Sequence, residues 1–321
     1  MKNKDIVYCS VLAVAVICLA IAASVLGSVD ISKMTEADKY ILYQIRIPRT
    51  LMCMVAGSTL AVCGCAYQAV FKNPLSDPYI LGVSSGASLG ASLAIVFGLD
   101  FIVFGITLSS FLTALLTVFL IMKLSQIGSR MHTTTLLLAG ISMNFLISAI
   151  ISVIMFIDQE DMHKIYFWTM GSLSGIKYND VIITALFSVT GIIFMQLYAK
   201  RLNVLLLGDM QANSLGVNVE KTKRTILTVS TLMTAAVVSH TGVIGFVGLV
   251  VPHIVRLIVG GDNRRIIPFS VLGGMIFMLL ADIIARNVAS PSELPIGSIT
   301  SLVGAPFFIY LLYNAKRKLH F

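Results

Sequence analysis

Apolar runs of about twenty residues, separated by short polar stretches, recur along the whole 321-residue chain. A helix of that length covers the ~30 Å hydrocarbon core of a bilayer. Ten such segments are predicted, near residues 6–27, 48–71, 79–98, 101–122, 133–157, 180–199, 225–240, 243–260, 268–289 and 296–313. The stretch 79–122 can be divided in more than one way. The first run follows Lys2 and Lys4 and extends from Ile6 to Leu26. A secretory h-region would be shorter and would end in a small-residue cleavage site. The run is therefore expected to remain as the first span. The pattern predicts an all-α membrane protein of about ten transmembrane helices, forming one transmembrane domain over residues 1–321.

Composition agrees with a lipid solvent. Hydrophobic residues make up 57% of the chain and charged residues only 12%, with mean hydropathy +0.92. Soluble domains carry roughly 25% charged residues. Basic residues then fix the orientation through the positive-inside bias. With the N-terminus cytoplasmic, sixteen Lys and Arg residues fall on inner segments, among them Lys72, Lys123, Arg130, Lys200, Arg201, Lys221, Lys223, Arg224, Arg264 and Arg265. Seven fall outside: Lys33, Lys39, Arg46, Arg49, Lys164, Lys177 and Arg286. An even number of spans puts both termini on the cytoplasmic side of the cell membrane. The net charge of +8 reflects this topology, and no nucleic-acid partner is needed to explain it.

One inner segment breaks the apolar pattern. LLLGDMQANSLGVNVEKTKR, residues 205–224, is too polar to cross a bilayer and too short to be a domain. GDMQANSLG reads as a short helix, with Asp209 favourably placed at the positive end of the dipole and Gly216 able to end it. A second short helix is expected through VEKTKR. Two short helices on the cytoplasmic face form a knob, which points to a partner.

Other features admit plain structural readings. Gly82, Gly86 and Gly90 recur every fourth residue and would give one side-chain-free helix face for close packing, or line a path. Asn73, Pro74 and Pro78 shape a tight turn before that helix. Asp282 and Arg286, four residues apart, can pair on one helix face, for stability or for function. His240, His253 and Arg256 are the remaining ionisable candidates near membrane segments, and the latter two suit a bracing role at the inner face. Cys9, Cys18, Cys53, Cys63 and Cys65 all lie in apolar runs without metal or disulfide spacing, so they are expected to pack. No phosphate-cradling GxxxxGK[ST], HExxH or nucleophile elbow occurs. No catalytic residue, metal site or cofactor is expected, and energy for any transport must come from another chain.

Four long strings carry a family resemblance: RIPRTLMCMVAGSTLAVCGCAYQAVFKNPLSDPYILGVSSGASLGA, GVIGFVGLVVPHIVRLIVGGDNRRIIP, LLADIIAR and ELPIGSITSLVGAPFFIYLL. They resemble the FecCD-type permeases, the membrane subunits of ABC importers for iron–siderophore complexes, haem and cobalamin. The match runs from about Arg46 to the C-terminus. It implies a type II ABC importer permease fold of ten helices, working as a homodimer or with a similar second permease subunit. It further implies a cytoplasmic ABC ATPase dimer, an extracytoplasmic substrate-binding protein, and a path between the two permeases. In that family the loop between spans six and seven docks in a cleft of the ATPase as two short helices. Here the loop is 205–224, with Gly208, Asp209, Ala212, Leu215 and Gly216 as the coupling positions. Outer arginines of the family pair with glutamates of the binding protein; the matching positions are Arg46, in QIRIPR, and Arg286, in ADIIAR. Iron–siderophore is the expected cargo, with cobalamin and haem as alternatives. An ion-coupled secondary transporter would want carboxylates at the membrane centre or ion-coordinating broken helices, and Asp282 is the one candidate, near a span end. A membrane-embedded enzyme would want a nucleophile or metal-ligand cluster.

Overall fold

A computed structural model describes residues 3–25, 36–102, 104–127, 130–289 and 292–318. Lys2, Lys33 and the last two positions of the first predicted span lie outside the described residues. Among the described residues thirteen α-helices run in chain order: α1 Asn3–Val25, α2 Glu36–Tyr40, α3 Ile47–Phe71, α4 Val83–Val96, α5 Gly105–Leu124, α6 Thr133–Ile157, α7 Met162–Thr169, α8 Tyr178–Leu206, α9 Asp209–Ser214, α10 Val219–Thr241, α11 Val247–Val259, α12 Asn263–Asn287 and α13 Ile296–Lys318. Six helical stretches are long and apolar enough to cross a membrane by length and composition: α1, the continuous Asp38–Phe71, α5, α6, α8 and α12. α4, α11 and Ile296–Tyr310 of α13 are apolar and shorter. With the 23-residue α10, these match the ten predicted segments.

The differences have local causes. The second span starts earlier than its apolar run: α2 passes through a π-helical stretch, Ile41–Arg46, into α3. Pro48 does not break this helix, because it occupies the first turn of α3, where its missing N–H had no partner to lose. The expected second short helix in 205–224 does not exist as a separate element. VEKTKR forms the first turns of α10, which Asn218 caps by accepting the Lys221 N–H at 3.0 Å. Gly82 lies outside the helix itself, although a Cβ there would still come 3.0 Å from Thr117 and Ile121 of α5. It precedes α4 with φ +75°, a left-handed conformation that glycine adopts without penalty. Within α4, Gly86 and Gly90 are the packing glycines: a Cβ on Gly86 would come 2.5 Å from Thr117 Oγ1 and 2.9 Å from the Thr113 carbonyl of α5, and one on Gly90 would collide with Thr113 Oγ1.

α3 is the central helix, with 83% of its apolar window buried against 11% for α1 and for α6. Glycine allows its neighbours in. Gly57 meets Gly274 of α12 backbone to backbone, and Gly64 meets Gly248 of α11 in the same way. In lipid, where apolar burial between helices gains little, such close van der Waals contact is a principal source of association. Cys53, Cys63 and Cys65 are fully buried along α3, and all five cysteines are free thiols.

Two short helices, α4 and α11, start inside the bundle rather than at its ends. Pro78–Leu81 forms a 3₁₀ turn before α4, capped by Asp77, whose Oδ1 accepts the Tyr79 N–H at 2.8 Å. Residues 242–246 interrupt the path from α10 to α11. Tyr79 joins the two interruptions: its hydroxyl donates to the Ile244 carbonyl at 3.0 Å and accepts the Ile244 N–H at 3.4 Å. Backbone groups freed by the broken helices are thereby satisfied inside the protein, as a hydrocarbon surrounding requires.

Candidate functional site

Three features stand out: a short helix projecting at one end of the bundle, an ion network at the other, and a polar groove between them. The projecting helix is α9. The chain enters it through Gly208 at φ +114° and leaves through Gly216 at φ +77°. At its C-terminus the Gly216 N–H donates to the Asn213 carbonyl at 2.9 Å, and the Val217 N–H to the Ala212 carbonyl at 3.0 Å. This is a Schellman closure, which requires a left-handed residue where Gly216 stands.

Asp209 is the brace of this knob. Its Oδ1 accepts from Lys72 and its Oδ2 from Lys223, each at 2.7 Å. Lys72 caps α3 in the left-handed region at φ 51°, and Lys223 lies in α10. One carboxylate therefore ties α9 to the central helix and to α10. Burial opposes ionisation of Asp209, but the hydrogen bonds from Lys223 and Lys72 outweigh it and hold the pKa below the ordinary value. Ala212 is fully buried beneath the knob, whereas Leu207, Met210 and Leu215 are 59%, 77% and 61% exposed. A cavity of about 700 Å³ beside them is lined by His132, Thr133, Met210, Asn213 and Glu220. A rigid knob with an apolar tip suits insertion into another protein.

The sequence-predicted coupling residues thus come together, in unequal roles. Gly208 and Gly216 shape the turns, Asp209 braces, Ala212 packs and Leu215 presents itself. Met210, Lys72 and Lys223 were not singled out. The lysines lie 137 and 14 residues from Asp209, separations that no helix-face spacing reveals.

At the same end, Asp262 caps α12 and locks it to α8. It accepts the Arg264 N–H at 3.0 Å and the Asn203 amide at 2.6 Å. The Arg264 guanidinium, whose Nε donates to Asp262 Oδ2 at 3.0 Å, is the largest cause and with the Asn203 amide outweighs burial, lowering the Asp262 pKa to about 2.

The opposite end is built on a buried carboxylate. Asp282 of α12 is fully buried. Arg49 of α3 donates through Nε to Asp282 Oδ1 at 2.7 Å and through Nη1 to Glu293 Oε2 at 2.7 Å. Arg286 Nε lies 3.0 Å from Asp282 Oδ2, so the i,i+4 pairing expected from sequence forms. It is the weaker arm, because its atoms are not aligned as a hydrogen bond. Arg286 also donates to the Ala23 carbonyl at 2.6 Å, and Arg46 to the Val25 carbonyl at 3.0 Å. Both arginines therefore hold the C-terminal end of α1, where cations complement exposed carbonyls. Arg46 is 9% exposed.

The groove, of about 390 Å³, lies against α4, α6 and α7. Ser84, Ser85 and Ser88 come from α4, Asn144, Ser148 and Ser152 from α6, and Thr169 from α7. The α6 residues recur every fourth position, so they form a polar stripe on an otherwise apolar helix. Ser85 donates to Asn144 Oδ1 at 2.6 Å. No charged side chain lines the groove. His253, by contrast, packs edge-on against Phe307 and Phe308, and Arg256 donates to Gln68 at 3.2 Å, which fits their bracing role.

Sequence and structure comparisons match this chain to known proteins. The FecCD transport family matches residues 6–314. A cobalamin import system permease protein, BtuC, of Halobacterium salinarum is 41% identical over 281 residues, covering 88% of this chain and 75% of that protein. A hemin transport system permease protein, HmuU, of Yersinia pestis is 36% identical over 319 residues, covering 96% and 95%. Among solved structures, an inward-facing conformation of a metal-chelate type ABC transporter aligns with a TM-score of 0.87 at 30% identity, covering 96% of this chain and 99% of that one.

Proposed function

The chain belongs to the FecCD transport family, and on that premise we propose that this multi-pass ABC importer permease carries an iron–siderophore complex. It is a transport component and not an enzyme, as its permease relatives are. The observation that carries the cargo assignment is the groove of hydroxyl and amide side chains without a fixed charge. Lipid would not solvate such a face, and a bare metal ion would want carboxylate or imidazole ligands. A chelate that encloses its metal and presents amide and carbonyl groups fits it. Cobalamin, with its fringe of amides, is the second reading, supported by the 41% identical relative. Haem would want an axial ligand or a cation for its carboxylates, and the groove lining holds neither.

Within this reading a second permease subunit closes the groove into a path, and a cytoplasmic ATPase dimer receives the α9 knob. The sixteen-to-seven bias of basic residues supports placing that end, with both termini, in the cytoplasm. Gly208, Asp209, Ala212, Leu215 and Gly216 are the coupling residues. The external binding protein lands at the opposite end, on Arg46 and Arg286. A guanidinium carries five N–H donors, and the contacts with α1 use only some of them.

The test is uptake into proteoliposomes containing the permease, its ATPase and its binding protein, across ferric siderophores, cobalamin and haem. Ferric siderophore uptake is expected, and Asn144→Leu should lower it about fivefold, the worth of one hydrogen bond. Basal ATP hydrolysis should be unchanged. Uptake of haem alone, or an unaffected Asn144→Leu variant, would overturn the assignment.

A further inference from the structure

We infer, on the reading of the α4–α6–α7 groove as the cargo path, that its lining selects ferric chelates without net charge, the trihydroxamate class, and rejects tricatecholates. Two properties of the groove point there: the chemistry of its walls and the direction in which their polar groups are turned. Every described side chain lining it is a hydroxyl, an amide or an aliphatic group. Such walls can read hydrogen-bond patterns, but they cannot neutralise an ion.

Some of the hydroxyl protons are already committed. Ser152 donates to the Ser148 carbonyl at 2.9 Å and Thr169 to the Tyr166 carbonyl at 2.7 Å, each within its own helix. Ser85 has one proton to give. The 2.6 Å contact with Asn144 Oδ1 takes it in preference to the Gly82 carbonyl at 3.2 Å. That bond fixes the Asn144 carboxamide with its oxygen towards Ser85 and its NH2 group as the free end. Among the described residues no acceptor takes those two N–H donors, and the exposed Ser148 hydroxyl on the next turn is free as well. The groove therefore offers donors to its cargo, and the surface that matches them is a set of carbonyl oxygens.

Charge then separates the two large classes of ferric chelate. Three hydroxamates, each carrying one negative charge, neutralise Fe(III) and turn carbonyl oxygens outward from the metal. Three catecholates, each carrying two, leave the complex a trianion. Taking a trianion out of water between apolar helices is strongly disfavoured unless cations receive it. The first turn of α4, where Ser84 and Ser85 stand, supplies only the end of a helix dipole, about half a positive charge. That strengthens a bond to a neutral carbonyl oxygen. It leaves most of a trianion uncompensated, even when a second subunit brings another helix end to the path.

The experiment measures equilibrium binding of ferrichrome, ferric enterobactin and cyanocobalamin, each radiolabelled, to the permease–ATPase complex in phosphatidylcholine nanodiscs. The binding protein is left out, so that the permease alone discriminates. Ferrichrome, the neutral trihydroxamate, is expected to bind roughly tenfold or more tightly than ferric enterobactin, the tricatecholate. Ser148→Lys sets an ammonium on the groove wall at an exposed position. It should raise ferric enterobactin affinity roughly tenfold, the worth of one hydrogen bond to a charged group, with ferrichrome nearly unchanged. Ser148→Gln, polar but uncharged, should give no such rise. Equal binding of the two ferric chelates, or a Ser148→Lys variant that still excludes enterobactin, would overturn the charge selection and leave the iron–siderophore reading standing. Binding of cyanocobalamin alone would overturn that reading and the selection with it. No binding of any of the three would remove the groove from the path and overturn both.

Discussion

The two ends of this bundle hold their charges in opposite ways. At the α9 end one half-exposed carboxylate, Asp209, collects two lysines from neighbouring helices. At the other end a fully buried carboxylate, Asp282, is enclosed by Arg49 and Arg286, and Arg49 reaches on to Glu293. A screened, surface brace contributes little to stability but can be made and broken as a part moves. A buried pair resists separation, because parting it strands a charge in a low-dielectric surrounding. The contrast suggests a rigid hub at the Asp282 end and an adjustable joint at α9, which suits the coupling role proposed for α9.

The largest expected effect tests the hub. Arg49→Met removes the cation that satisfies both Asp282 and Glu293. Loss of one partner of a buried pair costs about 3–5 kcal/mol, and the melting temperature of the purified permease should fall accordingly. Arg49→Met combined with Asp282→Leu should restore part of that loss, because the buried carboxylate is gone, while Arg286 gives up its ion pair and keeps the Ala23 carbonyl. A single variant that melts like the parent would show that the hub tolerates separation, and the comparison between the two ends would collapse.

A middle-sized effect tests the shape of the joint. Gly216→Val has open space for its side chain, since nothing lies within 4 Å of a Cβ there. The cost is therefore conformational: forcing a left-handed backbone on a branched residue, about 1–2 kcal/mol. Melting should change only modestly, while ATP hydrolysis and uptake should become uncoupled as α9 loses its Schellman closure. Coupled uptake at the parental rate would remove Gly216 from the coupling set.

How much of this was legible in the sequence follows from how far apart the partners lie. Apolar run length located the spans, and Gly216 was readable because a helix stop has a local chemical signature. Asp209 was readable as a residue but not as a brace, since its helix-dipole placement says nothing of Lys72. Arg49 and Asp282, 233 residues apart, leave no periodic trace, so the pairing with Arg286 on the same helix face was visible and the stronger arm was not. The α9–α10 boundary failed differently. VEKTKR is too polar to read as part of a span, yet α10 simply continues its helix beyond the apolar stretch. Asn144, Ser148 and Ser152 show a fourfold spacing, but they sit inside a run apolar enough to mask it.

The smallest expected effect concerns the strength of the brace itself. Asp209→Asn keeps the shape of the side chain and removes its charge. Lys72 is 35% exposed and can be rehydrated, whereas Lys223 is 4% exposed and loses its counter-charge. With Asp209 half in solvent, exposed-pair measurements set the scale at about 0.2–1 kcal/mol, and Lys223 should place the value at the upper end. Because the folded-state pKa of Asp209 is depressed, its contribution is fully present above the unfolded value near ~3.9. It is lost as pH falls through the lower folded value. At neutral pH, therefore, parent and variant should differ by this small amount, and once the pH is below the folded value the difference should vanish. Added salt should narrow it at pH 7, since partly exposed pairs are screened. The clean measurement is the parent-minus-variant difference in melting temperature across pH at two salt concentrations, with coupled uptake recorded at pH 7. A difference that grew on acidification would reverse the sign that this brace requires, and an uptake rate insensitive to Asp209→Asn would mean that α9 moves without it.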